Sequence, residues 1–174
     1  MQAKEFWKVV TADRVDFLDR LISTLEEHAI RFCLVGGQGV NAYVEPVVSL
    51  DLDIAVATDD LARVGVVLRE RFGTVELFPH SLNVSDAGSD LRVQIQTDPR
   101  YGGFVDRAVT HDVLGRRLPV AAIEDVLQGK VWAALDETRR PSKRQKDLAD
   151  IARLIEAYPA LRSQVPEQIL SKLI

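Results

Sequence analysis

The sequence predicts an α/β (α+β) domain: one mixed β-sheet with flanking helices on one side, followed by a helical C-terminal extension. Three observations predict it. Helical and strand periodicities interleave through the first half, in the order α-β-α-β-α-β-β-β. From Ala121 onward the pattern is helical only. The 174 residues, 47% hydrophobic and 28% charged, suffice for one compact domain with its own core. Residues 1–120 therefore read as the α/β core and 121–174 as a helical extension packed on it.

Along the chain, residues 12–29 place Val15, Leu18, Leu21, Ile22 and Leu25 on one helical stripe. The run IRFCLVGG is short, apolar and stopped by two glycines, which marks a buried strand. QGVNAYVEP reads as a short helix ended before Pro46, because proline disfavours α geometry in the residue that precedes it. SLDLDIAVAT alternates, with Leu50, Leu52 and Ile54 on one side and Asp51 and Asp53 on the other. Thr58 is placed to cap a following helix of about four turns that has acids in its first turn. After Gly73 come the strands TVELF, SLNVS and LRVQIQT, then AVTHDVLG and RRLPV. The helices AAIEDVLQGKVWAALDE and DLADIARLIEAY are separated by a basic joint, RRPSKRQK, and two short pieces divided by Pro159 and Pro166 close the chain.

Composition excludes several classes. The apolar content rules out intrinsic disorder, and the single Cys33 rules out a disulfide scaffold. No apolar run reaches the ~18–20 residues of a membrane span. The start MQAKEFWKVV lacks an apolar stretch with a small-residue cleavage site, so a cytoplasmic location is expected. A net charge of −4 argues against a nucleic-acid coat protein, although a local basic patch survives that average.

The strongest chemical signal is Gly36-Gly37 followed by Asp51-Leu52-Asp53. Period-2 geometry projects both aspartates from one strand face, ~7 Å apart, where they repel and raise each other's pKa. A divalent cation relieves that conflict, and an oxygen-only, incomplete ligand set suits Mg²⁺ or Mn²⁺. Gly36 and Gly37 end a strand and lead into a helix, where bare backbone N–H groups can approach phosphates. A cation site beside a phosphate cradle is an arrangement for phosphoryl transfer. Each half alone has a plainer reading: a solvated polar strand face, and a tight turn. GGQGVN completes neither a dinucleotide fingerprint nor a P-loop.

In this order and spacing the residues resemble the nucleotidyltransferase superfamily, with its DNA polymerase β-like fold. The matching stretch runs from Val35-Gly36-Gly37 to Leu50-Asp51-Leu52-Asp53-Ile54. The chain's length is similar to that of the small aminoglycoside nucleotidyltransferases, and KDLADIARL resembles the C-terminal helix of toxin-type members of the AbiEii group. The resemblance implies transfer of a nucleoside monophosphate from a Mg²⁺-bound (or Mn²⁺-bound) nucleoside triphosphate to a hydroxyl. RNA such as a tRNA end, a protein and a small molecule all stay open as acceptor. It implies that Asp51 and Asp53 hold the metal, and that Gly36, Gly37, Gln38 and Ser49 contact the nucleotide. Lys130 with Arg139 or Arg140 would contact phosphate, and Lys146 and Asp147 would belong to the catalytic set.

The chain departs from the family pattern at two places. The third carboxylate falls on the strand Leu91–Thr97, whose alternation presents Arg92, Gln94 and Gln96. A Gln94 amide oxygen can ligate a cation weakly but takes no proton. Asp90 and Asp98, at either end of that strand, are the substitutes if a bulge turns one inward. The Arg-x-Thr that precedes Asp-x-Asp in toxin-type members is Val47-Val48-Ser49 here. The alternative expectation is therefore a catalytically degenerate member that binds nucleotide or a partner.

The basic joint, with Arg139, Arg140, Lys143, Arg144 and Lys146, reads either as a solvated helix start or as a triphosphate or nucleic-acid grip. Arg100-Tyr101-Gly102-Gly103 reads as a loop or as a lip for a base or acceptor. The three histidines are scattered without metal-ligand spacing.

Overall fold

A computed structural model describes residues 3–173. Helix α1 (Ala3–Val10) and helix α2 (Phe17–Glu27) precede strand β1 (Phe32–Val35), helix α3 (Gly36–Asn41) and strand β2 (Asp51–Val56). Helix α4 (Leu61–Arg71) leads to β3 (Thr74–Phe78), β4 (Ser81–Ser85) and β5 (Arg92–Gln96). After a 3-10 segment come β6 (Val109–Val113), β7 (Arg116–Val120), α5 (Ile123–Leu135), α6 (Pro141–Ala157) and α7 (Glu167–Leu170).

The seven strands form one mixed sheet in the order β3-β4-β5-β2-β1-β7-β6. β2 runs antiparallel to β1 and parallel to β5, and β1 runs parallel to β7. All four residues of β1 are buried, as its unbroken apolar run predicts, so both of its faces are covered. The core is built from Phe17, Leu21, Ile22 and Leu25 of α2 against Leu34, Leu52, Ile54 and Ile95 of the central strands. Among the described residues no helix is long and apolar enough to cross a membrane.

Four local readings are corrected. The helix expected over 12–29 begins only at Phe17, because the Asp13 carboxylate accepts from the N–H groups of Val15 and Phe17 and Asp16 adopts a φ of +53°. Thr58 does not cap α4 but opens a 3-10 turn, Thr58–Asp60. Asp60 instead accepts from the Arg31 N–H and from Arg63, tying the helix start to β1. The helix expected from Asp147 starts instead at Pro141, a residue suited to the first helical turn, and takes Lys143, Arg144 and Lys146 of the basic joint into its first turns. Arg100–Gly103 lies in a 3-10 helix, Pro99–Arg107, rather than in a loop.

Candidate active site

β1 ends where β2 begins, so the register sets Val35 opposite Asp53 and places Gly36 beside the Asp53 carboxylate. Gly36 has a φ of +61°, and a Cβ there would fall on the Asp53 side chain. Both facts require glycine. A Cβ at Gly37 would meet nothing within 4 Å, so its backbone faces open space.

On the other side of β2, Asp51 lies opposite Arg92 and Asp53 opposite Gln94. The row continues to Asn83 of β4 and Glu76 of β3, so one polar stripe crosses four strands. It floors a cleft of about 430 Å³, within the range of small-molecule sites. Gly37, Ser49, Asp51, Asp53, Lys143 and Lys146 line it. A second chamber of about 570 Å³ meets the first along Asp53, Gln94, Lys130, Arg139 and Asp147. Its far wall carries His80, Asp98, Arg100, Tyr101 and Trp132, with the Arg100 guanidinium 4.6 Å from the Trp132 ring centre.

The wall opposite the sheet is a charge network. Lys130, projecting from α5, is buried and reaches Asp147 at 3.0 Å and Asp150 at 2.7 Å. Burial alone would lower its pKa, but Asp150 and Asp147 outweigh that and hold it above the ordinary lysine value. Asp147 also takes Arg139 at 2.6 Å, and Asp150 takes Arg153 at 2.8 Å. Arg153 in turn donates to Asn41 and to the Glu45 carbonyl, fastening α6 to the segment that leads into β2. Sequence reasoning passed over Arg153, although its i,i+3 spacing from Asp150 was a usable signal.

Asp51 and Asp53 differ in their surroundings. Asp51 is ion-paired to Arg92 and to Lys143. Asp53 has neither a hydrogen bond nor an ion pair among the described residues. Burial pushes its carboxyl above the ordinary aspartate value; Lys130 opposes this, and Asp51 adds to it. A desolvated carboxylate without a donor, two residues from another on the same face, fits a hard divalent cation. Gln94 Nε2 donates to Ser81 Oγ at 3.0 Å, so the Gln94 carbonyl oxygen carries no hydrogen bond among the described residues. No group of three or more His, Cys, Asp or Glu side chains gathers as a metal cluster among the described residues.

The structure thus brings Gly36, Gly37, Ser49, Asp51, Asp53, Gln94, Lys130, Arg139, Lys146 and Asp147 onto two joined chambers. Two expected contacts lie elsewhere. Gln38 is buried and spends its amide on the Ser49 carbonyl and Asn41, bracing the turn instead of facing the cleft. Arg140 is exposed at the start of α6 and lines neither chamber. The two substitute acids do not replace the third carboxylate: Asp98 is committed to Arg100, and Asp90 is exposed outside both chambers.

A family model described as nucleotidyl transferase AbiEii toxin, type IV toxin–antitoxin system, matches residues 16–173. The chain belongs to the AbiEii nucleotidyltransferase family. No curated protein matches the sequence. Among solved structures the chain is similar to the antibiotic-resistance factor ANT(2'')-Ia, at 13% identity and a TM-score of 0.55 over 87% of this chain and 92% of that one. It is similar to the lincosamide adenylyltransferase LnuA with lincomycin bound, at 15% identity and a TM-score of 0.53 over 79% and 95% of the two chains. An antigenic nucleotidyltransferase-like protein from Paracoccidioides brasiliensis aligns at 18% identity and a TM-score of 0.55 over 94% and 88%. At these identities the likeness establishes the fold: the chain carries a nucleotidyltransferase-like mixed sheet.

Proposed function

We propose that this chain is a divalent-metal-dependent nucleotidyltransferase that moves a nucleoside monophosphate from a nucleoside triphosphate to a hydroxyl. The observation that carries the reading is Asp53, a half-buried carboxylate with no donor among the described residues, paired on one strand face with Asp51 in a cleft that cations from α5 and α6 also line. Asp51, Asp53 and the Gln94 carbonyl oxygen would hold Mg²⁺ or Mn²⁺. When bound, the cation supplies Lewis-acid polarisation of the phosphoryl group and offsets its charge. Gly37 leaves its backbone open to phosphate oxygens, while Lys143 and Lys146 contribute positive charge to the same cleft. Lys130 and Arg139 hold Asp147 in place at the junction of the chambers.

The first chamber, with Ser49, Lys143 and Lys146, suits the triphosphate, and the second, with Tyr101 and Trp132, suits a base or the acceptor. The family description as a toxin favours a macromolecular acceptor such as a tRNA end. Structures of similar fold solved with lincomycin or adenylyl-2''-tobramycin make a small hydroxylated molecule the competing acceptor. A second reading, nucleotide binding without turnover, is favoured by Gln94, which stands in register with Asp53 where a proton-accepting acid is expected.

Label transfer tests both. Purified protein is incubated with Mg²⁺ or Mn²⁺, each α-labelled nucleoside triphosphate in turn and total tRNA, with an Asp51→Asn/Asp53→Asn control. Label on tRNA or on the protein that the control loses supports transfer. Metal-dependent nucleotide binding without label on tRNA, protein or an added aminoglycoside or lincosamide supports the binding-only reading.

A further inference from the structure

Asp51 and Asp53 share a strand face but not a state. Both Asp51 oxygens are taken: Arg92 Nε lies 2.8 Å from Oδ1, and Lys143 Nζ lies 3.3 Å from Oδ2. The two cations reach Asp51 from different elements, one across the β2–β5 ladder and one from the first turn of α6. Their side chains are 67% and 37% exposed, so both can swing without repacking the core. Lys146 faces the same cleft and has no hydrogen bond or ion pair among the described residues.

We propose that Arg92 and Lys143 are triphosphate ligands parked on Asp51, so that Asp51 opens to a divalent cation only when a nucleotide draws them away. The inference rests on the nucleotidyltransferase reading and adds two nucleotide ligands and an order of events to it. The physical reason is competition for two oxygens. A cation approaching Asp51 alone must displace two positive charges and then sit beside them. A polyphosphate offers Arg92 and Lys143 oxygens of higher negative charge, and a guanidinium exchanges carboxylate for phosphate with the same donor geometry. Once they have moved, the Asp51 lone pairs are free and the polyphosphate shares its own oxygens with the cation. Asp53, which nothing holds, is available throughout. Nucleotide and metal affinities are then coupled, and linkage requires each to raise the other by the same factor.

The test reads protein-bound Mn²⁺ by electron paramagnetic resonance on the full chain, with and without nucleoside triphosphates whose α–β bridge is methylene. The unmodified protein is expected to bind Mn²⁺ about tenfold more tightly with nucleotide than without. Arg92→Gln and Lys143→Gln, both at exposed side chains, are each expected to tighten nucleotide-free Mn²⁺ binding about threefold or more. Each should also weaken Mn²⁺–nucleotide binding, so that the coupling shrinks from both directions. Nucleotide-free Mn²⁺ affinity unchanged in both variants overturns the proposal, as does equal Mn²⁺ affinity with and without nucleotide in the unmodified protein. Nucleotide binding that is lost in Asp53→Asn but indifferent to Arg92 and Lys143 overturns the parked cations alone and leaves the transferase reading standing. No nucleotide binding in the unmodified protein overturns both.

Discussion

A Cβ on Gly36 would occupy the place of the Asp53 carboxylate. The strand end that leads into the first turn of α3 and the strand that carries the aspartate pair are therefore built around one another. Gly36→Ala is expected to cost about 2–3 kcal/mol, from the left-handed backbone at φ +61° and from the collision. Gly37→Ala, with open space around it, is expected to leave stability within about 0.5 kcal/mol while weakening nucleotide binding. Urea unfolding of both variants, alongside nucleotide titration, checks the contrast.

Asp53 is kept at a cost to the fold. Burial raises its pKa in the folded chain, so between the unfolded and folded values the native state holds the extra proton, and stability falls as pH rises through that window. Asp53→Asn is therefore expected to be more stable than the unmodified protein at pH 7, with the gap closing as pH drops below the folded pKa. Denaturation midpoints at a series of pH values read this directly. Adding Mn²⁺ with nucleotide should stabilise the unmodified protein and leave Asp53→Asn unmoved.

Lys130 sits between two buried carboxylates. Lys130→Met is expected to destabilise the protein by about 3 kcal/mol, the lower end for a broken buried pair, because Arg139 and Arg153 still hold Asp147 and Asp150. A double-mutant cycle of Lys130→Met with Asp147→Asn should recover part of that loss.

Gln94 stands in register with Asp53 and is anchored by Ser81. If the missing proton acceptor limits turnover, Gln94→Glu should raise label transfer by about 10²-fold, the lower end of what a positioned base contributes. An unchanged rate with intact nucleotide binding would mean that the acceptor hydroxyl is activated from another direction.

Much of the architecture was legible because its signals are local. Period-2 alternation marked β2 and β5, and the apolar run before Gly36 marked β1, since each pattern depends only on neighbours in the chain. The i,i+3 spacing of Asp147 and Asp150 along α6 is a local signal of the same kind. Element starts were read less well. The Asp13 side chain takes over backbone N–H groups ahead of α2, and Pro141 lets α6 begin inside the basic joint, six residues before the expected Asp147. Helix α1 went unread because eight residues carry too few turns for a periodic signal.

By itself the sequence determined most of the elements, the aspartate pair on one strand face and the glycines at the neighbouring strand end. Only the tertiary structure decided which charges meet. Arg92 and Asp51 are 41 positions apart and Lys143 is 92 from Asp51, yet strand register and the docking of α6 bring all three together. Gln38, beside the two glycines in the chain, is turned into the core by its bonds to Ser49 and Asn41, while Arg153, far along α6, is drawn into the network that frames the site. Spacing along a chain fixes direction within one element, but the partner of a charge is chosen by how separate elements pack, and that choice is made by burial across the whole core.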